Sequence, residues 1–172
     1  MKSAVPAAIL ALAAGTIIGG PAPTSAAPAK GQAHHLQATF TEGPPLSRTP
    51  DCAAEPRICQ AVLKGTGSVK GFGAATEIAG LTQDRAVTPC GSGSDSEAYT
   101  RRITTDHGVL ALRASGVKCP TALGFRVKAR YQVDGAASTG VFAGARGRGR
   151  DTVSLEAGSF GQVTITGKLR LR

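Results

Sequence analysis

The chain has 172 residues and a formal net charge of +9, from 20 lysines and arginines against 11 acids. That length holds one domain, and with few aromatics and no tryptophan its core must be built from Val, Leu, Ile, Ala and a few Phe. The same scarcity argues against nucleic acid as a partner: base stacking needs exposed aromatics among the basic residues, and only Tyr99 and Tyr131 are candidates.

Residues 1–26 read as a cleavable secretory signal peptide. Lys2 supplies the positive start, and residues 4–18 form an apolar run broken only by Pro6, Gly15 and Thr16. Gly19, Gly20, Pro21 and Pro23 end it, and Thr24-Ser25-Ala26 offers the small residues of a cleavage site. Cleavage after Ala27 fits as well, and an uncleaved anchor is the alternative reading. The run is short of the roughly 20 residues that cross a bilayer as a helix. Removal of residues 1–26, whose only charge is Lys2, leaves 146 residues at +8. No later stretch reaches transmembrane length, so a secreted, extracellular protein is expected.

Four cysteines, Cys52, Cys59, Cys90 and Cys119, follow the signal. An even number in an exported chain points to disulfides, and four cysteines allow three pairings. Cys52 with Cys59, across a Pro-containing loop, and Cys90 with Cys119, across a hairpin, are the expected pairs. A metal site is not expected, because no C-x-x-C pair occurs and His34, His35 and His107 are scattered. No cofactor motif is present.

Residues 27–35 have no periodic pattern and read as a flexible lead-in. The domain then runs over 36–172, with apolar and polar residues alternating at period two, the mark of strands with one buried face. Candidate strands are 36–41, 60–65 and 70–78, then a hairpin of 99–105 and 109–113 around Asp106-His107-Gly108. They continue with 125–133, 141–145, 148–155 and 163–172, and the alternation is cleanest in 125–133 and 163–172. No helical period extends over ten residues outside the signal. Gly65, Gly67, Gly71 and Gly73 punctuate one region, and Gly140, Gly144, Gly147 and Gly149 another. Glycines within strands mark the bends that a sheet needs to curl up. The expectation is an all-β domain, a small antiparallel β-barrel of about eight strands stapled by disulfides. The stretches 67–74 and 138–145 look alike, and the preferred explanation is two uses of one strand chemistry.

Ser138-Thr139-Gly140-Val141-Phe142-Ala143-Gly144-Ala145-Arg146-Gly147 resembles the G-T-G-x-F-x-x-A-x-G signature of the allene oxide cyclase-like barrels. Plant dirigent proteins and exported actinobacterial proteins of unknown role share it. The resemblance covers residues 60–172, supported by the strands on either side of the motif. It implies an eight-stranded antiparallel barrel around an apolar pocket. Some members cyclise a lipid epoxide, and dirigent proteins steer the coupling of phenoxy radicals. Arg146 matches the Arg of the dirigent A-R-G stretch, which makes it a candidate pocket residue. The four cysteines and the basic strand faces are not general features of that family.

Arg146-Gly147-Arg148-Gly149-Arg150 puts three arginines on one strand face and two glycines on the other. Basic faces recur at Arg126, Lys128 and Arg130, at Lys168, Arg170 and Arg172, and in kind at Arg101-Arg102. They are either a solvated exterior or, if the strands are neighbours, a stripe that attracts an anionic polymer of the envelope. Catalytic residues are not assigned: there is no G-x-S-x-G elbow, and His107 sits in a turn. Glu77, in a Gly-rich apolar stretch, and Tyr131, on an apolar face, join Arg146 as candidate pocket residues. The reading is a secreted, non-enzymatic barrel that binds a small apolar ligand or an anionic surface polymer. The alternatives are a cyclase/isomerase-like or dirigent-like enzyme orienting a reactive intermediate, and a structural or interaction protein of the envelope.

Overall fold

The alternating stretches fold as antiparallel strands of one sheet, which curls until its first strand meets its third. The computed structural model describes residues 31–49 and 58–172. The strands are β1 (Ala33–Glu42), β2 (Ser47–Arg48), β3 (Ile58–Val69), β4 (Gly73–Asp84), β5 (Asp95–Thr105), β6 (Gly108–Thr121), β7 (Gly124–Val133), β8 (Arg146–Glu156) and β9 (Gly161–Arg170). Their order is β1-β9-β8-β7-β6-β5-β4-β3-β2, and a further pairing of β1 with β3 closes the sheet. The result is an eight-stranded barrel, with β2 a short strand on β3 beyond the end of β1. There is no α-helix among the described residues, and none long and apolar enough to cross a membrane.

Eight strands enclose a lumen just wide enough for side chains to fill. Leu36, Ala38 and Phe40 of β1, Val127, Ala129 and Tyr131 of β7, and Val163, Ile165 and Leu169 of β9 all point inward and are buried. The outward positions of the same strands are polar, the reverse of the apolar outer band that a membrane-spanning barrel carries.

One end of the barrel is plugged. Phe142 is fully buried there, with its ring centroid 4.8 Å from that of Phe72 and with Leu110, Ala145 and Leu171 buried in the same core. This corrects the reading of 141–145 as a strand. Gly140–Phe142 is one turn of 3-10 helix, and Gly140 and Gly144 take φ of 62° and 68°, a left-handed backbone that a strand cannot hold. The look-alike stretches 67–74 and 138–145 therefore do not share a strand chemistry. Each brings one Phe to the same plug.

The other end carries the segment 43–46, the loop 85–94 and the turns 122–123 and 157–160. Cys90 and Cys119 form the expected disulfide there, Cα–Cα 5.6 Å, fastening the β4–β5 loop to β6. Cys59 is also disulfide-bonded. Its expected partner Cys52, like the signal at 1–26, lies outside the described residues. β1 starts at Ala33, so His34 and His35 belong to a strand and not to a lead-in ending at residue 35. Backbone pairing with β9, from Ala33 opposite Arg170 onward, extends the ladder past the first apolar residue, Leu36.

Candidate functional site

The interior is not purely apolar. β5 turns Glu97, Tyr99, Arg101 and Ile103 inward, and Arg101, 2% exposed, sits among three carboxylates. Its Nη1 donates to Glu42 Oε1 at 2.9 Å and to Glu77 Oε2, and its Nε donates to Asp151 Oδ2 at 3.1 Å. Glu77 comes from neighbouring β4. Glu42 on β1 and Asp151 on β8 are each three strands from β5 around the wall, so the guanidinium spans the lumen. The Tyr99 ring lies 5.3 Å from the guanidinium carbon, in cation–π range.

One cation among three acids leaves an excess of buried negative charge. Burial raises Glu77 to about 7, against the pull of Arg101 and with a further push from Glu42 and Asp151. Burial also raises Glu42 and Asp151, with Arg101 opposing in each case. Burial would lower Arg101, but Asp151, Glu77 and Glu42 outweigh it and hold the guanidinium charged. Glu77 Oε1 accepts no hydrogen bond from the protein, an expensive arrangement for an ionised carboxylate buried in the interior. Burial, joined at Glu42 and Glu77 by mutual repulsion, thus pushes all three acids of the cluster towards their protonated forms.

Two glycine effects shape this interior. The Glu77 carboxyl lies over Gly65, where a Cβ would come within 2.6 Å of Oε1. Tyr131 lies across the inward faces of Gly149 and Gly167, which pair with each other. A Cβ at Gly149 would come within 2.6 Å of its hydroxyl, and one at Gly167 would also clash. Burial, then Asp151, raises Tyr131 to about 12. Towards the disulfide end a cavity of about 70 Å³ remains, walled by Leu63, Leu81, Phe125, Val127 and Val153. Glu97 also lines it, accepting from Gln83 Nε2 at 2.6 Å.

Comparison with protein-family models, curated proteins and solved structures gave no match. The chemistry of the site therefore rests on its own residues.

The outer wall is the second candidate. β7, β8 and β9 are consecutive neighbours, so the basic faces do form one stripe. Arg130 stands directly opposite Arg150, Arg148 opposite Lys168, and Arg146 opposite Arg170. Arg113, Ser115, Arg130, Gln132, Arg148 and Arg150 line an open groove of about 860 Å³. Five of the nine described acids, Glu42, Glu77, Asp95, Glu97 and Asp151, are buried. The other four, Asp84, Asp106, Asp134 and Glu156, sit at strand ends or in turns, and of these Asp134 holds Arg113 at 2.7 Å. Apart from Arg101, the bases of these strands face outward, and no acid stands among those of β7, β8 and β9.

Of the sequence candidates, Glu77 and Tyr131 both face the lumen, while Arg146 is exposed on the outer wall and is not brought to them. Glu42, Tyr99, Arg101 and Asp151 were not anticipated as a site. The signal was strand parity: Glu42 shares the inward register of Leu36, Ala38 and Phe40, and Arg101 that of Ile103. Among the described residues no group of His, Cys, Asp and Glu is placed to hold a metal ion.

Proposed function

We propose that the protein is exported and acts as a non-enzymatic module that holds an anionic polymer of the cell envelope against the outer wall of its barrel. The observation that carries this reading is the set of three like-charge cross-strand pairs on β7, β8 and β9. Like charges directly opposite each other destabilise a sheet, and three adjacent pairs are retained here with no acid interleaved among them. A polyanion laid across the groove relieves that repulsion. Arginine supplies most of the charge, and its planar fork matches phosphate and carboxylate groups better than the point charge of lysine. Tyr99 and Tyr131 are both buried, which leaves neither available to stack on bases. The Cys90–Cys119 disulfide suits an oxidising compartment.

A pocket function has less support. Small-molecule sites usually offer at least about 300 Å³, whereas the interior cavity has about 70 Å³. That volume weighs against a small apolar ligand and against a cyclase-like or dirigent-like reaction in the lumen alike.

The test is binding of the mature chain to immobilised poly(glycerol phosphate) and to polyglutamate across a salt series. The expected result is affinity that falls steeply with salt and is largely lost in the triple variant R130S/R148S/R150S. Salt-independent binding, or full affinity in the triple variant, would overturn the reading.

A further inference from the structure

The open groove on the outer wall is a trough with a floor and two sides. Its floor is the backbone of Ala114, Tyr131 and Gly149, one residue from each of β6, β7 and β8 in register. One side is the row Arg113, Gln132 and Arg148, and the other is the row Ser115, Arg130 and Arg150. Register carries both rows on to β9, with Lys168 beside Arg148 and Thr166 beside Arg150. The trough therefore runs across the strands, with a step of about 4.8 Å from one strand to the next. Its two sides stand two residues apart on each strand.

Charge is not spread evenly along it. At β6, β7 and β9 a cation on one side faces a neutral hydrogen-bonding side chain on the other. Arg113 faces Ser115, Arg130 faces Gln132, and Lys168 faces Thr166. Only at β8 do two cations face each other, Arg148 and Arg150. Asp134 holds Arg113 at 2.7 Å and so neutralises the β6 end. Among the described residues no acid is paired with Arg130, Arg148, Arg150 or Lys168.

This alternation suits a chain that carries its charge in the backbone and hydroxyls between the charges. A phosphodiester turns its two non-bridging oxygens to opposite sides of the chain, one towards each of Arg148 and Arg150, while the chain runs on along the floor in both directions. A pendant carboxylate presents both oxygens at one edge, which matches one arginine fork and leaves the facing one without a partner. The hydroxyls of a polyol then meet Ser115, Gln132 and Thr166, each of which can donate and accept. Polyphosphate and polyglutamate bring no hydroxyl to these side chains.

On the reading of this wall as a polymer site, we propose that the trough selects a polyol phosphodiester chain, bound across the strands with one phosphate between Arg148 and Arg150. Arginine supplies the grip, and the three neutral side chains tell this polymer from other polyanions.

The test compares the affinity of the mature chain for poly(glycerol phosphate), polyphosphate, polygalacturonate and polyglutamate, at matched charge concentration and one salt. Poly(glycerol phosphate) should bind at least about tenfold tighter than the other three. The variant S115A/Q132A/T166V, altered only on the outer wall, should lose that margin while keeping its affinity for polyphosphate and its far-UV spectrum. Equal affinity of the parent for all four polymers would overturn the selection and leave the wall a general polyanion site. Tighter binding of polygalacturonate would assign the arginine pair to pendant carboxylates, and a variant that keeps the full margin would remove the neutral side chains from recognition; either result overturns the proposal. No salt-sensitive binding of any of the four would sink the polymer reading itself, and the selection with it.

Discussion

Glu77→Gln removes a charge from the barrel interior while keeping the side chain's shape and an oxygen that accepts from Arg101. In the folded barrel the Glu77 carboxyl titrates at about 7, against 4.5 for the unperturbed group, so the folded state binds a proton that the unfolded chain has released. The stabilisation from that proton is complete below the unfolded value, declines as pH rises between the two, and is gone above the folded value. The gap corresponds to about 3 kcal/mol. The amide mimics the neutral acid at every pH. The variant should therefore match the parent near about pH 4 and exceed its stability by up to about 3 kcal/mol near about pH 8. Glu42, Glu97 and Asp151 are raised as well, so the parent itself should lose stability as pH climbs through neutrality. Urea unfolding followed by far-UV circular dichroism, with the disulfides intact, measures both curves. A variant that is less stable than the parent at the higher pH would refute the reasoning, because it would make the ionised Glu77–Arg101 pair a net source of stability.

Three further outcomes follow from the fold. Arg101→Met strands three carboxylates without a cation and should cost about 3–5 kcal/mol near pH 8, with a smaller loss in acid, read from urea midpoints at the two pH values. Replacing Cys90 and Cys119 with Ser should lower stability by about 2–4 kcal/mol and leave the far-UV spectrum unchanged. Gly149→Ala drives a methyl into the Tyr131 hydroxyl and the Thr166 carbonyl and should cost about 1–3 kcal/mol. Adding Tyr131→Phe should recover the hydroxyl's share, and thermal melts of the single and double variants would show no recovery if the clash lay elsewhere.

The barrel was legible because its two faces differ in polarity. The alternation over 125–133 and 163–172 became β7 and β9, and the 99–105 and 109–113 hairpin became β5 and β6. Val141 to Ala145 misled because small apolar residues look alike in a strand and in a plug, and only the left-handed glycines tell them apart. The interior cluster was hidden by a habit of reading charge as exposure. Arg101 was grouped with Arg102 as a basic surface pair, although successive residues of a strand face opposite ways, and Arg101 shares the face of Tyr99 and Ile103. Its partners were beyond sequence reading altogether. They lie 24, 50 and 59 residues away and meet it only because the sheet closes.

That closure has a consequence for motion. β1 and β3 are registered only from Ala38 with Val69 to Glu42 with Gly65, a shorter ladder than any other between barrel strands, and four residues, Gly43 to Leu46, then separate β1 from β2. Gly65, the last rung, lies directly beneath the Glu77 carboxyl, and Glu42, its partner, is a second acid of the cluster. Local opening begins where backbone pairing is thinnest, so the amides of residues 38–42 and 65–69 should exchange hydrogen before those of β7 and β8. The shortest ladder of the barrel is therefore also the one flanked by two of its buried acids, Glu42 and Glu77.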